Sequence, residues 1–348
     1  MTPLDNLLAT IRFQSPERIP VTMLETEHAI KIAGTTYQKF ASDPHVLSVT
    51  LIKAAERYGY DWIWVYVSDW IEFECLGAKM VYEDVIPPRC VEFAVKDESD
   101  VDQLQAPNPW EDGKMPVILQ GLEYMRGEVG DELMLCGRVA CPFSAAILMR
   151  GIEKGFSDLY RQPETFRKME DLGLDIAVSF AKAQLEAGAH AIWVGDVFAS
   201  SRFISQQRYW ELAFPYEKRM IDEIRSMGGI SFIFHDEVRP SRLVDQAKVG
   251  ADVVGIGNDT DLQKARRMLG DHVCLSGNVD PVKVLLQGSP KDVEDAVRRC
   301  IRDAGKGGGF ILNTGECVCR DTPPENLETF VRVAREMGTL YQRKGWAR

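Results

Sequence analysis

Residues 186–196 read EAGAHAIWVGD. A helical pattern over 165–188 closes on Gly188, a short apolar run follows, and a carboxylate, Asp196, ends it. Glycine supplies the turn that stops a helix, and a brief run of branched and aromatic side chains marks a buried strand. The phrase returns as SMGGI (226–230), KVGAD (248–252) and, lengthened, DAGKGGG (303–309). A unit of helix, glycine turn and buried strand, repeated along a chain, builds a parallel sheet with its helices outside.

Strand-like runs fall at 19–24, 61–67, 133–139, 190–196, 230–236, 252–256, 272–277 and 309–314. Helical patterns at 165–188, 208–228, 240–250 and 290–305 lie between them. Eight such strands predict an α/β fold, a (β/α)8 TIM barrel, with residues 79–95 inserted as a hairpin after the second strand. A doubly wound open sheet would need a glycine-rich turn after its first strand, whereas LETEHAIKIAG (24–34) follows here. With no Gly/Ser linker or change of composition, a single domain over 1–348 is expected.

The chain carries a formal net charge of −11, which disfavours nucleic acid or an anionic membrane as main partner. No run approaches the roughly 18–20 apolar residues of a membrane span, and the first twenty residues do not read as a leader, so a cytoplasmic protein is expected. The eight cysteines show no framework spacing, so they are read as buried thiols, metal ligands or catalytic groups before disulfides.

In a TIM barrel, chemistry gathers where strands end. Those ends carry Glu25 and Glu27, Ser68 and Asp69, Arg138, Asp196, His235 to Glu237, Asn258, Asn278, and Glu316, Cys317 and Cys319. His235 and Glu237 stand two apart, so in extended backbone both side chains would face one ion; a rim histidine hydrogen-bonded to a neighbour is the alternative. Cys317 with Cys319, or Glu316 with Cys317, could add ligands from after the eighth strand. Asp196 and Asp69 read either as acid–base groups or as a helix cap and ion-pair partners. GKGGG (305–309) precedes its strand and therefore reads as a turn on the far face. Trp62, Trp64 and Trp193 read as core.

Several of these segments resemble one family. GNVDPVKVLLQGSPKDVEDAVRRCI (277–301), GGGFILN (307–313), DTPPENLETFVRVAREMG (321–338), YGYDWIWVYVSDWIEFECLGAKM (58–80) and GDVFASSRFIS (195–205) are similar to the uroporphyrinogen decarboxylase superfamily. The resemblance implies a barrel, often a homodimer, and one of two activities. Decarboxylases of that superfamily bind a many-carboxylate porphyrinogen through an arginine-bearing motif; here two glutamates stand in that region, and like charges repel. Asp69 matches the decarboxylase aspartate, while Glu316 replaces a histidine.

The other branch, methylcobamide:coenzyme M methyltransferase-like, uses a zinc motif similar to H-x-C-G with a later cysteine, and works with a corrinoid protein. Carried over, it makes His235, Glu237 and Cys317 the metal ligands, with Glu237 where a cysteine would stand and Cys317 displaced by one position. A harder ligand set of this kind makes the metal a stronger Lewis acid, which suits an oxygen-bearing methyl donor. The expectation is a metal-dependent methyltransferase moving a methyl group between a small molecule and a partner's corrinoid, with a divalent metal, zinc first. Asp196, Asp69 and Glu316 are its catalytic candidates, and Glu25, Arg138 and Asn278 its substrate-binding ones. The alternatives are a decarboxylase of a small or porphyrin-type acid and a catalytically idle barrel.

Overall fold

The computed structural model describes residues 1–343. Nine strands are numbered in chain order: β1 Trp62–Trp64, β2 Lys79–Val81, β3 Arg89–Glu92, β4 Met134–Ala140, β5 Ala191–Gly195, β6 Ile230–Phe234, β7 Val253–Gly255, β8 Cys274–Val279 and β9 Phe310–Thr314. Seven of them form one parallel sheet in the order β1-β4-β5-β6-β7-β8-β9, while β2 and β3 pair antiparallel as the expected hairpin. Consecutive parallel neighbours joined by helices are the barrel topology that the repeated phrase predicts. Gly188, Gly228 and Gly250, at the three short turns, all have positive φ (111°, 81° and 82°), which glycine adopts without steric cost.

The first expected strand, 19–24, is reduced to one parallel bridge, Val21 with Leu312. It still closes the circle. Thr22 N donates to Leu312 O and Leu312 N to Pro20 O, both at 2.9 Å, and Asp61 N donates to Val21 O at 2.7 Å on the other side. The ladder is short because Pro20 has no N–H to give and the Val21 N–H goes to the Asp61 carboxylate at 2.7 Å. Arg18 clamps that carboxylate with its guanidinium. A buried ion pair thus replaces part of the seam's ladder.

Aromatic side chains fill the barrel. Trp62, Trp193 and Phe232 stand with ring centroids 5.5–6.0 Å apart, and Phe234 lies 5.3 Å from Trp193, spacings typical of aromatic pairs. The three tryptophans read as core are buried. Outside, helix Pro290–Ala304 shows how the sequence starts a helix: Ser289 caps it in a reciprocal capping box with Asp292, with proline at the first position. Its buried Val293, Val297, Cys300, Ile301 and Ala304 recur at three- and four-residue spacing.

The helix expected over 208–228 is interrupted. A wide, π-type turn over Tyr209–Ala213 precedes helix Phe214–Ser226. Pro215 lacks an N–H and crowds the carbonyl four residues earlier, so the helix opens there. The widened turn leaves both Tyr209 and Glu217 on the buried side.

Candidate active site at the barrel mouth and behind its wall

Two polar centres lie at the strand ends. The first is at the mouth. Asp69, beyond β1, takes a hydrogen bond from Arg138 Nη2 of β4 at 2.6 Å. Arg138 Nη1 is 3.8 Å from Glu72 Oε1 and makes no hydrogen bond among the described residues. Glu72, fully buried, also accepts from Ala140 N at 3.0 Å, and burial, only partly offset by Arg138, pushes its pKa up to about 7. The guanidinium also lies 5.6 Å from the ring of Tyr66. After β9, burial and then the charge of Asp236 push Glu316 up to about 7. Burial, Glu316, Asp69 and Glu27 push the Cys317 thiol well up, with Arg138 opposing, so the sulfur holds its proton at neutral pH.

A cavity of about 190 Å³, lined by Glu27, Tyr37, Tyr66, Asp69 and Trp70 among others, opens at this mouth. A larger one, about 560 Å³ beside Phe93 and Ile152, lies by β3 of the hairpin; no group from the ends of the parallel strands β5–β9 lines it, and the chemistry favours the smaller. Glu25 sits deeper. It is wholly buried, Oε1 accepts from Tyr60 Oη at 2.6 Å, and Oε2 has no hydrogen-bond partner among the described residues. Burial pushes it up to about 8.

The second centre lies between the ends of β5 and β6 and helix Phe214–Ser226. Along β6, Phe234 joins the interior aromatics, so His235, next in an alternating strand, turns outward. Its Nε2 is 2.8 Å from Glu217 Oε1, although the approach is off the line of a directed hydrogen bond. Glu217 Oε2 accepts from Tyr209 Oη at 2.7 Å. Asp196 Oδ1 accepts from Ser144 N at 2.9 Å and Ser144 Oγ at 2.6 Å. Burial and then Glu217 push Asp196 up to about 8. Burial also acts to raise Glu217, but the pull of His235 outweighs it and the carboxyl ends below its usual range. Desolvation lowers His235, yet Glu217 holds it above its ordinary value. Glu170, buried with both oxygens unpartnered, is pushed up to about 9 by burial and by Asp196.

The structure does not gather the ligand set His235, Glu237 and Cys317. That set assumed extended backbone, but Asp236 has φ 47°, which breaks the two-residue alternation. Asp236 instead faces the mouth, where it pairs with Arg202 at 3.0 Å and acts on Glu316. Glu237 is saturated: it takes Ser201 N, Val238 N and Arg239 N at 2.8 Å each, and the Ser201 hydroxyl. Cys317 looks to Asp69, Glu27 and Arg138. A zinc ion shared by these three residues therefore does not fit. Asp196 sits with Ser144, Glu217 and His235, apart from the mouth group of Asp69, Arg138, Glu316 and Cys317. Asn278 is a clamp, its Nδ2 donating to Gly257 O at 3.0 Å and Thr260 O at 2.8 Å.

Sequence reading missed Glu72, Glu170, Tyr209 and Glu217. For two of them a signal existed. Glu217 falls on the buried stripe Ala213, Met220, Ile221, Ile224, and Glu170 on Phe166, Gly173, Ala177, Phe180. A carboxylate within an apolar helix stripe is expensive unless something compensates it.

Known proteins place this architecture. The fold superposes on a methyltransferase from Methanosarcina mazei with a TM-score of 0.88, at 18% identity, over 97% of this chain and 99% of that one. A B12-independent methionine synthase from Shewanella sp. W3-18-1 superposes with a TM-score of 0.56 at 12% identity, over 86% of this chain and 88% of that one. In sequence, the chain is 27% identical to the uroporphyrinogen decarboxylase of Trichodesmium erythraeum, over 90% of this chain and 84% of the relative. It is 26% identical to the methylcobamide:CoM methyltransferase MtbA of Methanosarcina acetivorans, over 96% and 98%. Decarboxylases and methyltransferases thus stand at similar distances, and a sequence model described as uroporphyrinogen decarboxylase (URO-D) matches residues 2–337. The chain belongs to the URO-D family.

Proposed function

We propose that this chain is a methyltransferase of the family, moving a methyl group between a small oxygen-bearing molecule and a corrinoid protein. One observation carries this reading: the mouth is walled by Glu27, Asp69, Asp236 and Glu316 around a protonated cysteine. A many-carboxylate porphyrinogen would find the arginines of the mouth, Arg138 and Arg202, already paired with Asp69 and Asp236, whereas a small methoxylated molecule meets a hydrogen-bond donor and an acid. Arg138, oriented by Asp69 and Glu72, offers its free N–H to a polar group of the substrate. Glu316, pushed up to about 7, is part-protonated at neutrality and can give that proton to the oxygen from which the methyl group leaves. The bond from methyl carbon to oxygen breaks, its electron pair stays on oxygen, and the proton from Glu316 completes the alcohol. The methyl group would pass to the partner's corrinoid in its reduced, nucleophilic state, whose cobalt would supply the electron pair of the new bond to carbon. No step is assigned to a metal, because the sequence-derived ligand set does not converge.

The test combines purified protein, a cobalamin reduced to its nucleophilic state and a panel of methoxylated compounds, followed by visible absorption. Formation of methylcobalamin that requires the protein supports the reading. Consumption of uroporphyrinogen without methyl transfer would replace it with the decarboxylase alternative.

A further inference from the structure

We infer that Asp196, Glu217 and His235 form a buried site for a resident first-row divalent cation, outside the barrel wall and separate from the mouth. One ligand atom from each residue lies within 4.8 Å of the other two, and no other such trio of His, Cys, Asp and Glu donors converges among the described residues.

The convergence is not a loose cluster of acids. Asp196 and Glu217 are 0% exposed and His235 is 2% exposed. The atoms that face one another, Asp196 Oδ2, Glu217 Oε1 and His235 Nε2, have no partner outside the trio. Their sister oxygens are held: Asp196 Oδ1 by Ser144, and Glu217 Oε2 by Tyr209. Outer hydrogen bonds that fix one carboxylate oxygen and aim the other are how proteins orient metal ligands.

Two carboxyls and one imidazole share this buried space, and because metal ligands bind in their deprotonated forms, an ion entering here would release the protons these groups otherwise hold.

Imidazole nitrogen with two carboxylate oxygens suits zinc or another first-row ion. Ligands at about 2.0–2.1 Å around a tetrahedral ion stand about 3.3 Å apart. The 2.8 Å between His235 and Glu217 therefore has to open by about half an ångström, within the reach of a rotamer adjustment. Such an ion would tie the end of β5, the end of β6 and helix Phe214–Ser226 together. It would also hold the backbone just before Asp236, which reaches the mouth. This inference does not depend on methyl transfer and applies equally to a decarboxylase.

The experiment is elemental analysis of full-length protein purified without chelator, with cobalt(II) substitution after chelator treatment in denaturant and refolding. The expected result is about one ion per chain, and a cobalt spectrum without a thiolate charge-transfer band. Glu217→Gln and His235→Ala are each expected to lower the bound ion at least tenfold, while Cys317→Ala and Glu237→Gln keep it. Should His235→Ala not fold, the milder Glu217→Gln decides. Folded wild-type protein without metal would overturn the site in favour of a proton-sharing network, and loss of the ion in Cys317→Ala would move it to the mouth. Methyl-transfer activity enters none of these readouts, so the two readings fail separately.

Discussion

Glu25→Gln isolates the cost of a buried carboxyl. Glu25 is fully enclosed, held by Tyr60, and pushed up from 4.5 to about 8 chiefly by burial. A carboxyl whose folded pKa lies above its unfolded value binds more protons when folded. Its contribution is therefore complete below about pH 4.5 and is lost as pH rises towards about 8. At about 1.36 kcal/mol per unit, the loss at pH 6 is already about 2 kcal/mol and grows to about 5 kcal/mol by pH 9. The difference, about 3 kcal/mol, is the quantity to measure. With about 2.1 cal/mol/K of unfolding entropy per residue, a 348-residue chain has about 0.7 kcal/mol/K. The group thus lowers Tm by about 4 °C between those pH values. Glutamine keeps an oxygen for the Tyr60 hydroxyl and cannot ionise. The amide adds buried donors, so its absolute Tm can lie on either side of wild type; the pH dependence is what counts. Scanning calorimetry or fluorescence melts of both proteins at pH 6, 7, 8 and 9 should show wild type falling about 4 °C further than the variant. Parallel curves would refute the reasoning, since Glu25 would then be ionised in the folded protein or reached by water.

Other residues give shorter tests. Asp61→Ala strips Arg18 and the Val21 N–H of their shared acceptor at the barrel seam, and losing one partner of such a pair costs about 3 kcal/mol, read as a Tm about 4 °C lower. Gly315→Ala would drive a Cβ into the backbone of Asn258; overpacking of this kind costs about 1–3 kcal/mol, and the displaced Glu316–Cys317 turn should lose any mouth activity with it. Arg138→Lys keeps the charge but cannot reach Asp69 and Glu72 together, so methyl transfer is expected to fall at least tenfold while Tm moves little; unchanged turnover would remove Arg138 from the substrate site.

The repeated glycine-ended helix and short strand fixed the parallel barrel, because backbone conformation and burial periodicity are local and are written residue by residue. Hairpin, core tryptophans and the polar strand ends were legible for the same reason. The seam was less so: Pro20 and Asp61 turn a strand into a single bridge, and the acceptor for Val21 comes from forty residues away. The surroundings of His235 were legible only in part: it was visible as a metal-type residue, but the φ of Asp236 takes Glu237 out of its alignment, and the groups that do face it, Glu217 and Asp196, come from a helix and a neighbouring strand. Sequence spacing orders side chains only while the backbone stays regular. At one left-handed residue that order ends, and which groups meet across the wall is decided by how the elements pack.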